Sequence, residues 1–320
     1  MKQKICHELA HEVEKKLSAE IEGFKCDTAK VLKNNGVYVT QIQGRIESSS
    51  IASSVTIDDY IDAIEDGNIS IEDVANSIAE SIKDHLDDVE IPVINNATAK
   101  ENLFFTVVNK NRNQELLKNA LSQDLGNDLA LIARFKCFSK DGGMASFIFN
   151  KEMLSTIEMT ETEALEIAYH NTANIDYSVK NIASVIAEQL GYKDDDIETM
   201  LGKEDLPMYV ISSKDNINGA VGIFVSEDLR KKVNETIGCE DGYYVLPSSI
   251  DELIAVPNIF EPDQLREMVK EVNGTVVETS KYLSDNVYFC DRELKLSIAE
   301  DISDEVIIAD VDVCSNGFHL

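Results

Sequence analysis

The sequence predicts an α+β fold: a small N-terminal αβββαα unit over residues 1–95, a larger unit of antiparallel strands and helices over 100–298, and an acidic C-terminal tail over 299–320. Three observations lead there. Apolar residues recur every four positions in some stretches and alternate in others, the periods of a half-buried helix and a half-buried strand. Alternating stretches come in pairs around Asn-Gly or Gly-Gly, the mark of hairpins. And 320 residues with 43% hydrophobic content suffice for about two cores.

In the first unit Ile5, Leu9, Val13, Leu17 and Ile21 define one amphipathic helix over 3–22, stopped by Gly23. Strands 28–33 and 37–46 flank Asn35-Gly36, two residues that tolerate the positive φ of a type I′ turn. A third strand is predicted over 51–57. Asp58 and Ser70 then read as N-caps of helices over 59–66 and 71–86. Pro92 and the polar run Asn95-Asn96-Ala97-Thr98 mark 88–102 as the linker.

The second unit opens with a strand over 103–109 and a helix over 113–121, followed by strands 128–138 and 144–150 around Asp141-Gly142-Gly143. Thr160 with Glu163 forms a capping box for a helix to about Asn171. Ser178 reads as the cap of a further helix ended by Gly191. After the acidic stretch 194–205 come strands 208–213 and 220–225 around Asn218-Gly219, a helix over 227–237 and a strand over 243–246. Ser249 reads as an N-cap before Asp251-Glu252, Pro262 starts a helix to Val272, and strands 287–291 and 294–298 close the unit. The tail from 299 onward reads as an edge strand or an acidic interaction segment.

With these elements placed, the chain resembles a family of uncharacterised bacterial proteins, domain of unknown function 5688, found in gut anaerobes and their mobile elements. The likeness rests on the order of several segments: Lys33-Asn34-Asn35-Gly36, Tyr60 to Gly67, Asn113-Gln114-Glu115-Leu116-Leu117, Asn127-Asp128-Leu129-Ala130, Ala168 with Asn171-Thr172, Tyr244-Val245-Leu246-Pro247-Ser248-Ser249, and Leu283-Ser284-Asp285-Asn286-Val287-Tyr288-Phe289. The element order is also similar to domain of unknown function 1444. Neither resemblance brings an activity, cofactor or site. This chain departs from the first family after Pro-Ser-Ser, where Ile250-Asp251-Glu252 replaces a His or another polar choice, and in the His pair of its first helix.

Fifty-nine carboxylates against 29 basic residues give a formal charge of -30. That sign excludes broad binding to a nucleic-acid backbone or an anionic membrane, both of which need basic surface. The densest basic run, Arg230-Lys231-Lys232, is flanked by Glu227, Asp228 and Glu235. Met1 to Glu8 turns polar at once and no apolar run reaches membrane-span length, so a cytoplasmic protein is expected. Six well-separated cysteines with no C-x-x-C pair read as reduced, buried small hydrophobes.

The sharpest chemical pattern is His7-Glu8-Leu9-Ala10-His11, which on a helix puts two imidazoles on one face as zinc ligands with Glu8 as general base. No third ligand follows at a known spacing, so a solvated helix is the favoured reading and no cofactor is expected. Ser248-Ser249 reads as a turn before it reads as a nucleophile, His170-Asn171 as a helix end, and Asp194-Asp195-Asp196 as a solvated loop lacking the alternation of a calcium loop. The sequence therefore favours a non-catalytic cytoplasmic binding or accessory protein that meets a basic protein through an acidic face, in the setting of a mobile element. A zinc-dependent hydrolase is the alternative.

Overall fold

The computed structural model describes residues 2–48, 52–86, 89–90, 92–139, 144–191, 207–239 and 241–299. It is α+β with antiparallel sheets throughout, and the chain divides into two compact units.

The first unit comprises residues up to 93 together with 136–147. Helix α1 (Lys2–Ser18) buries Ile5, Leu9, Val13 and Leu17 as the spacing requires. It stops short of the predicted end, in a turn where the Glu20 and Ile21 N–H groups both donate to the Leu17 carbonyl; Gly23 at φ 73° then leads into β1. Strand β1 (Phe24–Leu32), longer at its start than predicted, pairs with β2 (Tyr38–Ile46) from Phe24↔Ile46 to Leu32↔Tyr38. Asn35 (φ 59°) and Gly36 (φ 71°) take the predicted left-handed conformations, and the Val37 N–H donates to the Asn34 carbonyl at 3.4 Å. Strand β3 (Ser53–Thr56) adds to the other side of β2.

Helices α2 (Asp58–Glu65) and α3 (Ile71–His85) follow. Ser70 caps α3 by accepting the Asp73 N–H at 3.1 Å. Asp58, expected as a cap, is instead the first residue of α2, and its carboxylate accepts the Thr40 N–H at 2.8 Å. Leu9, Val13, Phe24, Ile42, Ile78 and Ile82 meet in one core. Gly44 keeps β2 close to α3, because a Cβ there would lie 2.6 Å from the Phe24 ring and 2.9 Å from Ile82. Val89 and Glu90 (β4) pair with Ser139 and Phe138.

The second unit comprises 94–135 and the chain from 148. The predicted linker ends in a helix, α4 (Asn96–Asn102): Asn95 and Thr98 close a reciprocal capping box, so the polar run is a helix start. Strand β5 (Leu103–Asn109), buried at all seven positions, pairs with β7 (Leu129–Ser139). Between them lie the short α5 (Gln114–Leu117) and β6 (Ser122–Asp124), which also pairs with β7, as does β8 (Met144–Ile148). The predicted turn at 141–143 lies outside the described residues. A short α6 (Leu154–Ile157) precedes α7 (Glu161–Ala173), which carries the predicted Thr160–Glu163 capping box.

The remainder builds a six-stranded sheet in the order β14-β13-β11-β12-β10-β9. Its strands are β9 (Tyr177–Asn181), β10 (Tyr209–Ser213), β11 (Tyr243–Pro247), β12 (Glu252–Pro257), β13 (Tyr288–Cys290) and β14 (Leu296–Ile298). Ser178 lies inside β9, and Asn181 caps α8 (Ile182–Leu190) instead, accepting the Ala183 N–H at 2.9 Å. The predicted strand 220–225 is helical: a 3₁₀ turn over Gly219–Val221 runs into α9 (Gly222–Val225), buried throughout. An all-apolar run carries no period, so burial alone could not separate strand from helix. Helices α10 (Glu227–Ile237) and α11 (Pro262–Thr275) complete the unit. The acidic stretch 194–205 and the tail beyond Ala299 lie outside the described residues.

Two glycines give opposite expectations. A Cβ on Gly219 would sit 2.3 Å from the Ser213 nitrogen and 2.6 Å from the Asp251 carbonyl oxygen, both backbone atoms that cannot step aside. Gly219→Ala should therefore cost about 3 kcal/mol or more. Gly274, in the last turn of α11 with nothing within 4 Å of its added Cβ, should gain roughly 0.5–1 kcal/mol as Ala. Urea unfolding of both variants checks the pair.

Candidate functional site

The side chains singled out by the sequence divide into those left on the surface and those consumed by structure. Leu9 and Val13 turn α1 toward its core, so His7 and His11, two residues before each and about 200° around the helix, are exposed. Glu8 lies between them, half-buried, its carboxylate 3.4 Å from Lys4 Nζ. Gln3 and Lys4 complete a shallow open surface with these three. Among the described residues no cluster of three or more His, Cys, Asp or Glu side chains is arranged to hold a metal ion.

Ser249 closes the β11–β12 turn: its hydroxyl oxygen accepts the N–H groups of Asp251 at 3.1 Å and Glu252 at 3.2 Å. The turn is as predicted, but a strand follows it, not a helix. His170 is exposed near the end of α7, while its neighbours are bound. Asn171 Nδ2 donates to the Lys100 and Leu103 carbonyls at 2.9 and 2.8 Å; Thr172 Oγ1 accepts the Phe105 N–H at 2.7 Å and donates to the Ala168 carbonyl. Asp194-Asp195-Asp196 lies outside the described residues.

A dense polar constellation centres on Asp128, the residue before β7. Ser284 Oγ donates to Asp128 Oδ2 at 2.6 Å, and the Tyr288 hydroxyl donates to Oδ1 at 3.0 Å. Asn109 Nδ2 approaches Oδ2 at 3.4 Å while donating to the Leu283 carbonyl at 2.9 Å. Asn109 is itself framed: its Oδ1 accepts the Arg112 N–H, and its carbonyl accepts Asn113 Nδ2. From α11, Asn273 Nδ2 reaches the Ser284 carbonyl and Asp285 Oδ1, each at 2.8 Å. Asn109, Asn113, Ser284 and Tyr288 are buried.

Two of the segments that carry the family resemblance thus meet at one carboxylate, those beginning at Asn127 and Leu283, while Asn113 of a third braces Asn109 beside it. The signal was visible in the sequence as Asn, Asp and Ser interrupting apolar strands, but nothing local said they would converge. Chemically the arrangement is a strut. Burial, with the Asp128 charge beside it, pushes the Tyr288 phenol well above its usual range, so it stays protonated and donates. Burial and Asp285 push Tyr282 up to about 12, and the Arg112 guanidinium stacks on its ring at 3.6 Å.

A recess of about 650 Å³ in the same unit is walled by β9, β10 and α8 and reached by Lys232 of α10 and Glu252 of β12. Its residues come from segments with no shared motif, so no spacing could have announced it.

Tyr288→Phe preserves the ring and removes one donor from Asp128, and should cost about 1–3 kcal/mol. Ser284→Ala should cost a similar amount, and the double variant should depart from the sum because both groups share one acceptor. A double-mutant cycle by urea unfolding measures this.

The family model described as "Family of unknown function (DUF5688)" matches residues 2–292. Nothing found extends the likeness to domain of unknown function 1444. No curated protein and no solved structure matches the chain. A match running from α1 through β13, and through every segment that meets at Asp128, places the chain in the family of unknown function DUF5688.

Proposed function

We propose that the chain is a non-catalytic cytoplasmic binding or accessory protein that meets a basic protein through its acidic surface. The observation that carries this reading is the density of exposed carboxylates. From Asp58 to Leu86, α2, α3 and their connection carry nine Asp or Glu and a single Lys. Asp59, Asp66, Glu72, Asp73, Glu80 and Asp84 are all exposed there. Fields of one sign raise the local concentration and encounter rate of oppositely charged partners by 10- to 1,000-fold, roughly, and repel phosphate backbones.

The interior adds support. Ser284 and Tyr288 direct their hydroxyls at Asp128, and the Ser249 oxygen accepts two backbone N–H groups, so each serves the fold. Among the described residues no helix is long and apolar enough to cross a membrane. The link to a mobile element rests on the family resemblance alone. The zinc-hydrolase alternative keeps His7 and His11 as ligands and Glu8 as base. It requires a third ligand, and about one zinc per chain, lost in His7→Ala, would overturn the expectation that no zinc is bound.

Exposed charges are screened beyond about 8 Å at physiological salt. A partner captured from host extract should therefore be basic, and its association with the purified protein should slow steeply between low and high salt. A neutral or acidic partner whose association rate ignores salt would sink the proposal.

A further inference from the structure

The recess in the second unit has a floor made by three adjacent strands. Ser212 of β10 stands in register with Ser178 of β9 on one side and with Glu252 of β12 on the other. Residues directly opposite in an antiparallel ladder project to the same face, so the three side chains form one row across the sheet. The row is polar, as the uncovered face of an antiparallel sheet commonly is.

Each member of the row carries acceptor oxygens. The Ser178 and Ser212 hydroxyls lie 2.9 Å apart and either can be the donor, while Ser212 Oγ also lies 3.4 Å from Asn216 Oδ1. Whichever donates, a hydroxyl oxygen has two lone pairs, so the pair keeps acceptor capacity for a further donor. The Glu252 carboxylate, an acceptor only, has no hydrogen-bond or ion-pair partner among the described residues. The floor presents acceptor oxygens around one carboxylate that has no partner.

Of the lysines in the wall, Lys180 is held by Glu188 at 2.8 Å and Lys214 lies 3.4 Å from Asp176, while Lys232 donates to the neutral Tyr177 carbonyl at 2.6 Å and keeps its charge. Among the charged side chains of the lining, Glu252 is the one without a partner among the described residues. At about 650 Å³, the recess falls within the range of small-ligand pockets and exceeds one long side chain.

We infer that this recess receives a guanidinium group, an arginine side chain of the basic partner, with Glu252 as its counter-ion and the Ser212 and Ser178 oxygens as further acceptors. A guanidinium presents five N–H donors in a fixed planar fork and no acceptor, the complement of this floor; an ammonium offers three donors around a point. The inference deepens the acidic-surface reading and rests on it for the identity of the partner, but the recess is testable without that partner.

The probe is N-acetyl-L-arginine amide, with N-acetyl-L-citrulline amide as a near-isosteric neutral control, titrated into the full chain and followed by amide chemical shifts. Saturable shifts at Ser178, Ser212 and Glu252 are expected. Affinity should fall at least tenfold for citrulline and at least tenfold for arginine in Glu252→Gln, with Ser178→Ala giving a smaller loss in a chain that keeps Glu252. Equal affinity for the two probes, an unchanged Glu252→Gln, or shifts confined to other residues would overturn the site. Tighter binding of N-acetyl-L-glutamate amide than of the arginine probe would overturn it too. A basic partner with salt-sensitive association but no arginine shifts would defeat the recess and leave the surface reading standing. Saturable arginine binding with no basic partner would do the reverse.

Discussion

The second unit depends on the satisfaction of one carboxylate. A partly buried Asp is costly unless its lone pairs are filled, and leaving it uncompensated costs more than any single bond to it returns. Asp128 is filled by Ser284, Tyr288 and Asn109, donors drawn from the end of β5 and from the segment that enters β13. Those bonds fix where β13 lies, β13 pairs with β11, and β11 sets the register of β12 through Tyr243↔Pro257 to Pro247↔Leu253. The polar row of the recess inherits that register. A slip of one residue would turn Glu252 or Ser212 to the opposite face.

The first unit uses its carboxylates in a related way. Glu14 on α1 accepts the Cys26 N–H at 3.1 Å on the outer edge of β1, and Asp58 accepts the Thr40 N–H of β2 at 2.8 Å. Each ties a helix to a sheet through a backbone amide, and the first also occupies a group that an edge strand would otherwise present for pairing. Structural use accounts for only part of the excess. Most of the carboxylates of α2 and α3 are exposed, with Lys2 reaching Asp62 and Glu65 and Lys83 reaching Glu20 as the ion pairs at this end of the unit. Exposed pairs of this kind contribute little to stability, so the surplus charge is a property of the surface and of what meets it.

Elements were legible where local chemistry and period agreed. The four-residue spacing of Ile5 to Leu17, the Asn35-Gly36 turn, the Ser70 cap and the Thr160–Glu163 box all correspond to what formed. The misreadings share one cause: a local signal with two structural outcomes. Asn95 and Thr98 suit a linker or a capping box, Ser178 suits a cap or a strand, and the Gly219–Val225 run suits a buried strand or a buried helix. The candidate sites were less legible still. The His7–His11 pair is local and could be read at once, whereas Asp128 and Ser284 lie 156 residues apart, and the recess floor draws on three strands.

On the proposed function, a basic partner is met at the acidic surface of α2 and α3. The most direct test compares the wild-type chain with a variant in which Asp59, Asp66, Glu72, Asp73, Glu80 and Asp84 are changed to their amides, measuring association rates with one captured basic partner across a salt series. The neutralised chain should associate more slowly at low salt, its rate should depend less on salt, and the two rates should converge as salt rises. Equal rates at every salt concentration, in a variant of unchanged fold, would contradict it.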